Sequence, residues 1–200
     1  MKMKIILFMS ILIIVSLSIY IYFHNTYPDM TYIKSDIDEN YYLVRNTADK
    51  NQASNMLAKI HQDILKLSEF LEKNKNAEKY KEYKEYIELL YKKAPSIILI
   101  ESTQNSIHTS YSVNKGEQII FCLRTKQTGN KMHDINLVMY VVLHEISHVA
   151  CPIYDNHGPL FRKIFAFLTK EAIDLEIYTR IDFQSKPEDY CGMEINDSII

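Results

Sequence analysis

Apolar residues recur at intervals of three and four over two stretches in the first half of the chain. The first stretch, residues 52–73, repeats aliphatic residues at the spacing of one buried helical face. The second, residues 77–93, has tyrosine and aliphatic residues on one side and interleaves lysines with glutamates. Most of these glutamates lie three or four positions from a lysine, which favours a solvated helix face over a nucleic-acid-binding patch. Two amphipathic helices are predicted.

Shorter runs that are rich in β-branched and aromatic residues predict strands. They cover residues 41–44, 96–101, 106–113 and 117–124. The last two runs are separated by Asn114, Lys115 and Gly116. Because glycine tolerates the positive φ of a tight turn, these two runs are predicted to form a β-hairpin.

The most apolar stretch of the second half, residues 135–150, predicts a helix that is buried on nearly all sides. Asp134 suits its N-cap, and Pro152 ends it. Another helix with an apolar face is predicted to begin at Pro159, because proline fits the first turn of a helix. The last twenty residues show no clear period.

The N-terminus differs from the rest of the chain, since residues 5–23 carry no charge and follow Lys2 and Lys4. As a helix this run spans about 28 Å, close to the thickness of the hydrocarbon core. We therefore expect a transmembrane anchor over residues 1–24, followed by a tether over residues 25–40; a cleaved signal peptide is the alternative. The two lysines favour a single-pass protein whose N-terminus is cytoplasmic and whose domain lies on the opposite side of the lipid bilayer.

Composition limits the class of protein. The 200 residues are 47% hydrophobic and 24% charged, with a net charge of −2. This balance predicts one ordinary globular domain and argues against disorder. Nucleic acid is not an expected partner, because a dedicated nucleic-acid-binding domain would be clearly basic.

The three cysteines, Cys122, Cys151 and Cys191, are an odd number, so at least one thiol is unpaired or pairs between chains. In an oxidising compartment one disulfide can form among them. The sequence does not select the pair, and three reduced, buried cysteines are the alternative.

The apolar helix contains His144, Glu145 and His148 in the order His-Glu-Ile-Ser-His. Two histidines four positions apart share one helix face, so both imidazoles can reach a single Zn²⁺ at about 2.0–2.1 Å. Glu145 can accept a proton from the zinc-activated water and pass it to the leaving amine. Because a buried ionisable group needs a partner, the apolar surroundings support a zinc cofactor.

A catalytic zinc usually has three protein ligands and one open position. His157 is the leading third ligand, because the chain turns at Pro152 and again at Gly158. The alternatives are Glu171, on the following helix, and the weaker Asp174.

The order of strand, hairpin, metal-binding helix, turn, third histidine and second helix resembles the minimal zincin metallopeptidases of the SprT-like and WLM type. It is more closely similar to the single-pass transmembrane metallopeptidase-like proteins of large DNA viruses. The segments that carry the resemblance are residues 109–116, 121–124, 144–148, 157–161 and 189–192.

This resemblance implies an α+β fold: a minimal zincin-like domain with a small mixed sheet, a hairpin, an active-site helix and packing helices. The domain would cover residues 41–195 and leave residues 196–200 as a tail. A viral protein of this type would reside in the virion or in a host membrane.

The family also implies that an edge strand borders the cleft, so that an extended peptide adds to the sheet. Residues 117–124 are the expected edge. Related cellular enzymes cut proteins crosslinked to DNA, but they carry DNA-binding regions that this sequence lacks. A tyrosine often stabilises the oxyanion in zincins, and the candidates are Tyr111, Tyr154, Tyr178 and Tyr190.

We expect a membrane-anchored zinc-dependent endopeptidase that acts on a peptide or protein substrate, with Glu145 as general base and His144, His148 and His157 as ligands. One alternative is a catalytically inactive membrane or virion structural protein in which zinc is a folding staple, closed by a fourth ligand such as Cys151. Another is an interaction module without metal. The presence of Glu145 favours the enzyme, because a structural site does not need this acid.

Overall fold

The computed structural model describes residues 2–26, 29–126, 130–152 and 156–200, and within the first helix the side chains of residues 4–19 and 21. The helices are Lys2–Thr26 (α1), Lys50–Asn74 (α2), Lys84–Lys93 (α3), Ile135–Ala150 (α4) and Pro159–Asp174 (α5). The strands are Met30–Lys34 (β1), Tyr41–Arg45 (β2), Ile98–Glu101 (β3), Tyr111–Val113 (β4), Gln118–Phe121 (β5), Glu188–Tyr190 (β6) and Met193–Ile195 (β7). Two 3₁₀ turns cover Glu78–Tyr83 and Ala94–Ser96.

The chain divides into two compact units, Met1–Met30 and Thr31–Ile200. The first unit is mainly α1, whose described side chains run unbroken over residues 4–19, or about 24 Å of helix. Among the described residues, no helix is both long enough and apolar enough to cross a bilayer. The prediction of a single-pass membrane protein, anchored through residues 5–23 with its domain beyond the bilayer, is corrected by this finding.

The second unit has a mixed α+β architecture, as predicted. Five strands form one sheet in the order β1-β2-β3-β5-β4. The central pairs, β2 with β3 and β3 with β5, are parallel, and β4 pairs antiparallel with β5. The C-terminal strands β6 and β7 form a separate antiparallel hairpin.

The predicted hairpin in the middle of the chain is confirmed, although its strands are shorter than expected. Its placement corrects the expected edge strand. Because β5 is paired on its other side with β3, residues 117–124 lie inside the sheet, and β4 is the edge.

Helix α2 confirms the first predicted helix and buries the expected face against the sheet. The second predicted helix is divided into a 3₁₀ turn and α3. In a 3₁₀ turn, side chains three positions apart point the same way, which directs Tyr80 and Tyr83 together towards α5. There Tyr80 donates a hydrogen bond of 2.6 Å to Glu171, and the Tyr83 ring stacks on Phe167.

Helix α4 packs between α3 and α5 and buries 12 of its residues, in agreement with its apolar composition. The Asp134 carboxylate accepts a hydrogen bond of 2.8 Å from the backbone N–H of Asn136, so the predicted N-cap is present. Pro159 occupies the first turn of α5, also as predicted.

One disulfide joins Cys122, just after β5, to Cys191, in the turn between β6 and β7. The third cysteine, Cys151, is a free and buried thiol at the end of α4. The disulfide connects the C-terminal hairpin to the central sheet. The chain after the hairpin is also held, because the backbone N–H of Ile199 donates a hydrogen bond of 3.0 Å to Tyr140.

Candidate metal centre

Three imidazoles meet at the C-terminal half of α4. His144 and His148 lie one helical turn apart on the same face, and His157 comes from the connection to α5. The Nε2 atom of His157 lies 3.0 Å from that of His144 and 3.1 Å from that of His148. The two helix residues and the loop residue thus direct their Nε2 atoms towards one point.

The spacing of these nitrogens fits a zinc ion. Two ligands of a tetrahedral zinc, each about 2.0–2.1 Å from the metal, lie roughly 3.3–3.4 Å apart. Among the described residues, only these three histidines form a group of metal-binding side chains whose ligand atoms all lie within 4.8 Å of one another. The site could therefore hold a metal through three neutral imidazoles.

Two aromatic rings of α5 support the imidazoles. Phe161 stacks on His148 with 4.2 Å between ring centroids, and it meets His144 and His157 edge to face. Phe165 makes a second edge-to-face contact with His144. In the sequence both phenylalanines fall on the apolar face of this helix. That periodicity predicts their burial but not their contact with a site.

The turn between β4 and β5 is attached to the C-terminal end of α4. The Lys115 ammonium donates hydrogen bonds to the carbonyl oxygens of Cys151 (3.3 Å) and Pro152 (3.0 Å). Gly116, at a φ of +91°, lies directly against Val149. These contacts position the edge strand β4 beside the histidines.

Burial alters the protonation of the site. It lowers the pKa of His144 to about 3 and that of His148 to about 4, with a further contribution from the neighbouring histidines. Both imidazoles are therefore neutral near pH 7, as metal binding requires. Burial also raises the pKa of Glu145 to about 7.

Clefts open on two sides of the metal centre. One, of about 380 Å³, runs along β4 and is lined by Tyr111, Ser112 and Lys115. The other, of about 420 Å³, runs between α4, α5 and the C-terminal hairpin. Ser110, His144, Glu145 and His157 line both clefts, so Glu145 borders each of them.

The alternative ligands do not belong to the histidine group formed by the described residues. Glu171 accepts hydrogen bonds from Tyr80 and, at 3.5 Å, from Lys79. Asp174, at the end of α5, and the Cys151 thiol are not in the histidine group formed by the described residues.

The four candidate tyrosines have different positions. Tyr111 lines the cleft along β4. Tyr190 is fully buried, and its hydroxyl is 2.7 Å from that of Ser110; burial raises its pKa well above the usual value. Tyr178 accepts a hydrogen bond from Ile181 and packs on Tyr140. Tyr154 lies outside the described residues.

The chain is similar to a known domain family and to proteins of large DNA viruses. The family model described as the WLM domain matches residues 37–198. The uncharacterized protein R325 of Acanthamoeba polyphaga mimivirus is 42% identical over 200 residues, which cover 100% of both chains. The uncharacterized protein 136R of Invertebrate iridescent virus 6 is 35% identical over 85 residues, which cover 41% of this chain and 44% of that protein. The predicted resemblance to WLM-type proteins and to proteins of large DNA viruses is confirmed.

Among solved structures, the crystal structure of Wss1 from Saccharomyces cerevisiae matches with a TM-score of 0.47 and 18% sequence identity. The match covers 67% of this chain and 88% of that one.

Proposed function

The chain belongs to the WLM domain family, a family of zinc metallopeptidases, and on this premise we propose that it is a zinc-dependent endopeptidase. One observation carries the proposal: the convergence of His144, His148 and His157 in a cleft that is also lined by the buried acid Glu145. Clefts on both sides of the centre would admit a chain that continues past the scissile bond in each direction.

The three histidines would hold the metal through their Nε2 atoms. A zinc ion bound there would act as a Lewis acid and lower the pKa of a water ligand to about 7. Among the described residues, the ligand group holds three nitrogens and no thiolate, a composition that favours an open catalytic site over a closed structural one.

Glu145 would move the proton. A carboxylate whose pKa lies near the working pH can accept a proton from the attacking water and then donate it to the leaving amine. Burial tunes Glu145 in this direction, since it raises its pKa to about 7. Glu145 directly follows the ligand His144 in α4, so its side chain does not share the helix face of His144 and His148. Its carboxylate would therefore be free to act as a base instead of a ligand.

The edge strand β4 would orient the substrate. Its outer edge is not paired within the described sheet, and Tyr111 and Ser112 line the cleft beside the histidines. An extended peptide can add to such an edge through backbone hydrogen bonds, which do not depend on its sequence. A peptide added in this way would carry a peptide bond across the metal centre.

The proposal is tested by loading the full chain with zinc and measuring cleavage of an unfolded protein, such as casein, by mass spectrometry. Glu145→Gln is expected to reduce the rate by at least about 100-fold, because general acid–base catalysis contributes roughly 10²–10⁴-fold. The variant should still bind zinc. The matched control is Glu69→Gln, which makes the same change on the exposed side of α2 and should leave the rate unaltered.

Two outcomes would contradict the proposal. Cleavage that persists in Glu145→Gln would remove the assigned role of this acid. A zinc-loaded wild-type chain that cleaves no peptide bond would remove the activity itself.

A further inference from the structure

The cleft between α4, α5 and the C-terminal hairpin of β6 and β7 has an apolar wall. Tyr140 and Val141 contribute from α4, Phe165 from α5, and Met193 and Ile195 from β7. We call this cleft the hairpin pocket. Its volume of about 420 Å³ is within the range of sites that bind small ligands or side chains.

The polar end of Tyr140 is already occupied. Its hydroxyl accepts the hydrogen bond from the backbone N–H of Ile199 and donates one of 3.4 Å to the carbonyl oxygen of Asp197. The ring of Tyr140 packs against Phe165, with 5.2 Å between centroids, and against Phe183. Tyr140 therefore contributes apolar surface to the pocket.

The charges at the rim are acidic. Glu194 and Asp197 line the hairpin pocket, and no lysine or arginine does so among the described residues. The cleft along β4 differs, because Lys115 lines it. An acidic side chain would meet both an apolar wall and like charge in the hairpin pocket.

The pocket is continuous with the metal centre, since His144, Glu145 and His157 belong to both. A peptide bond held at the centre would bring its flanking residues next to the pocket. Successive side chains of an extended peptide point to opposite faces, so only one of the two flanking residues can enter.

We propose that the hairpin pocket binds the apolar side chain of one residue adjacent to the scissile bond, and so sets the cleavage preference. This inference rests on the proposed peptidase function. The favoured residues at that position are leucine, methionine and phenylalanine, and the disfavoured ones are aspartate and glutamate.

The first test uses zinc-loaded full chain and matched peptides that carry leucine or aspartate at each position around one cleavage site. A change in the filling of an apolar pocket is worth roughly 10–200-fold in kcat/KM. We expect a preference for leucine of at least about 10-fold at a single flanking position and a much smaller preference at the other.

Charge variants of Met193, at the mouth of the hairpin pocket, test whether this pocket sets the cleavage preference. Met193 is 46% exposed, so a charged residue can replace it without being buried. Met193→Lys should raise kcat/KM for the aspartate peptide relative to the leucine peptide, and Met193→Asp should lower it. The control Ile37→Asp places the same negative charge as Met193→Asp at an exposed apolar position that is not part of the pocket. It should leave the ratio of kcat/KM for the two peptides unchanged.

A binding measurement separates this inference from the proposed function. Fluorescence anisotropy with zinc-loaded Glu145→Gln gives dissociation constants for the same labelled peptides without hydrolysis. Tighter binding of the leucine peptide, altered in opposite directions by the two Met193 variants, supports the pocket even if the wild type cleaves nothing.

The inference is overturned if neither assay shows an apolar preference, or if both Met193 variants retain the wild-type ratio. Wild-type cleavage without such a preference would leave the peptidase intact and remove only the pocket. Peptides that fail to bind Glu145→Gln at any concentration tested would also count against the pocket.

Discussion

At the scale of single residues, the third histidine has a left-handed backbone conformation. Asn156 and His157 both adopt positive φ, of 37° and 71°. Residues other than glycine pay on the order of 1 kcal/mol for this conformation, and such strain concentrates at functional sites. The contacts of the His157 ring with His144 and Phe161 offset part of this cost.

His157→Ala is expected to weaken zinc binding by at least about 100-fold, since even the loss of an outer-shell partner costs roughly 10–100-fold. Glu171→Gln should leave the affinity unchanged, because the Glu171 carboxylate is engaged by Tyr80. Competition with a chromogenic chelator measures both affinities. The opposite pattern, with zinc lost in Glu171→Gln and kept in His157→Ala, would assign the third ligand to α5.

At the scale of elements, the site depends on how the β4–β5 turn meets α4. A Cβ atom built on Gly116 would lie 2.5 Å from Cγ2 of Val149, and its φ of +91° is already unfavourable for other residues. Here glycine is required both by the turn and by the close approach of the helix.

Gly116→Ala should lower the free energy of unfolding by about 1–3 kcal/mol, through the positive φ and the overpacking against Val149. Urea unfolding measures this loss. In a double-mutant cycle with Val149→Ala, the combined loss should fall short of the sum of the two by about 0.5 kcal/mol or more, because the second change removes the clash. Strict additivity would show that the clash contributes nothing.

The disulfide between Cys122 and Cys191 is the second element-scale connection, since it joins residues separated by 69 positions and anchors the wall of the hairpin pocket. The chain-entropy relation for a loop of this length gives about 4 kcal/mol of stabilisation. Cys122→Ala combined with Cys191→Ala should therefore lower the free energy of unfolding by about 4 kcal/mol in urea without reductant. Cys151→Ala is the control, because its thiol is free. An equal loss from the control would locate the effect in packing instead of the crosslink.

At the scale of the whole molecule, local patterns are enough to predict α2, α4, α5 and the central hairpin. Apolar periodicity predicts α2 and α5, apolar composition predicts α4, and β-rich runs around a turn glycine predict the hairpin. The sequence does not predict the hairpin of β6 and β7, since strands of three residues are too short to display alternation. Strand β1, which lies within the expected tether, is also not predicted, because none of its five residues is fully buried and the sequence has no strong apolar run there. The order of strands in the sheet and the disulfide pair depend on contacts between distant segments, which local pattern does not contain.

The sequence also predicts only part of the candidate site. Helix geometry alone brings His144 and His148 together with Glu145 beside them, because the α-helical period is a local property. The convergence of His157 required the loop to fold back, for which the turn residues Pro152 and Gly158 were the available signal. The support of all three imidazoles by Phe161 depends on how α5 packs against α4, and the apolar period of α5 carries no information on that contact.

The central claim is that the three imidazoles hold one zinc ion and leave one coordination position open. Zinc K-edge X-ray absorption, together with metal content, tests this claim most directly in the zinc-loaded full chain. We expect one zinc per chain and a first shell of nitrogen and oxygen at about 2.0–2.1 Å, with the scattering pattern of imidazole. A zinc–sulfur distance of about 2.3 Å, or a chain that takes up no zinc, would contradict it.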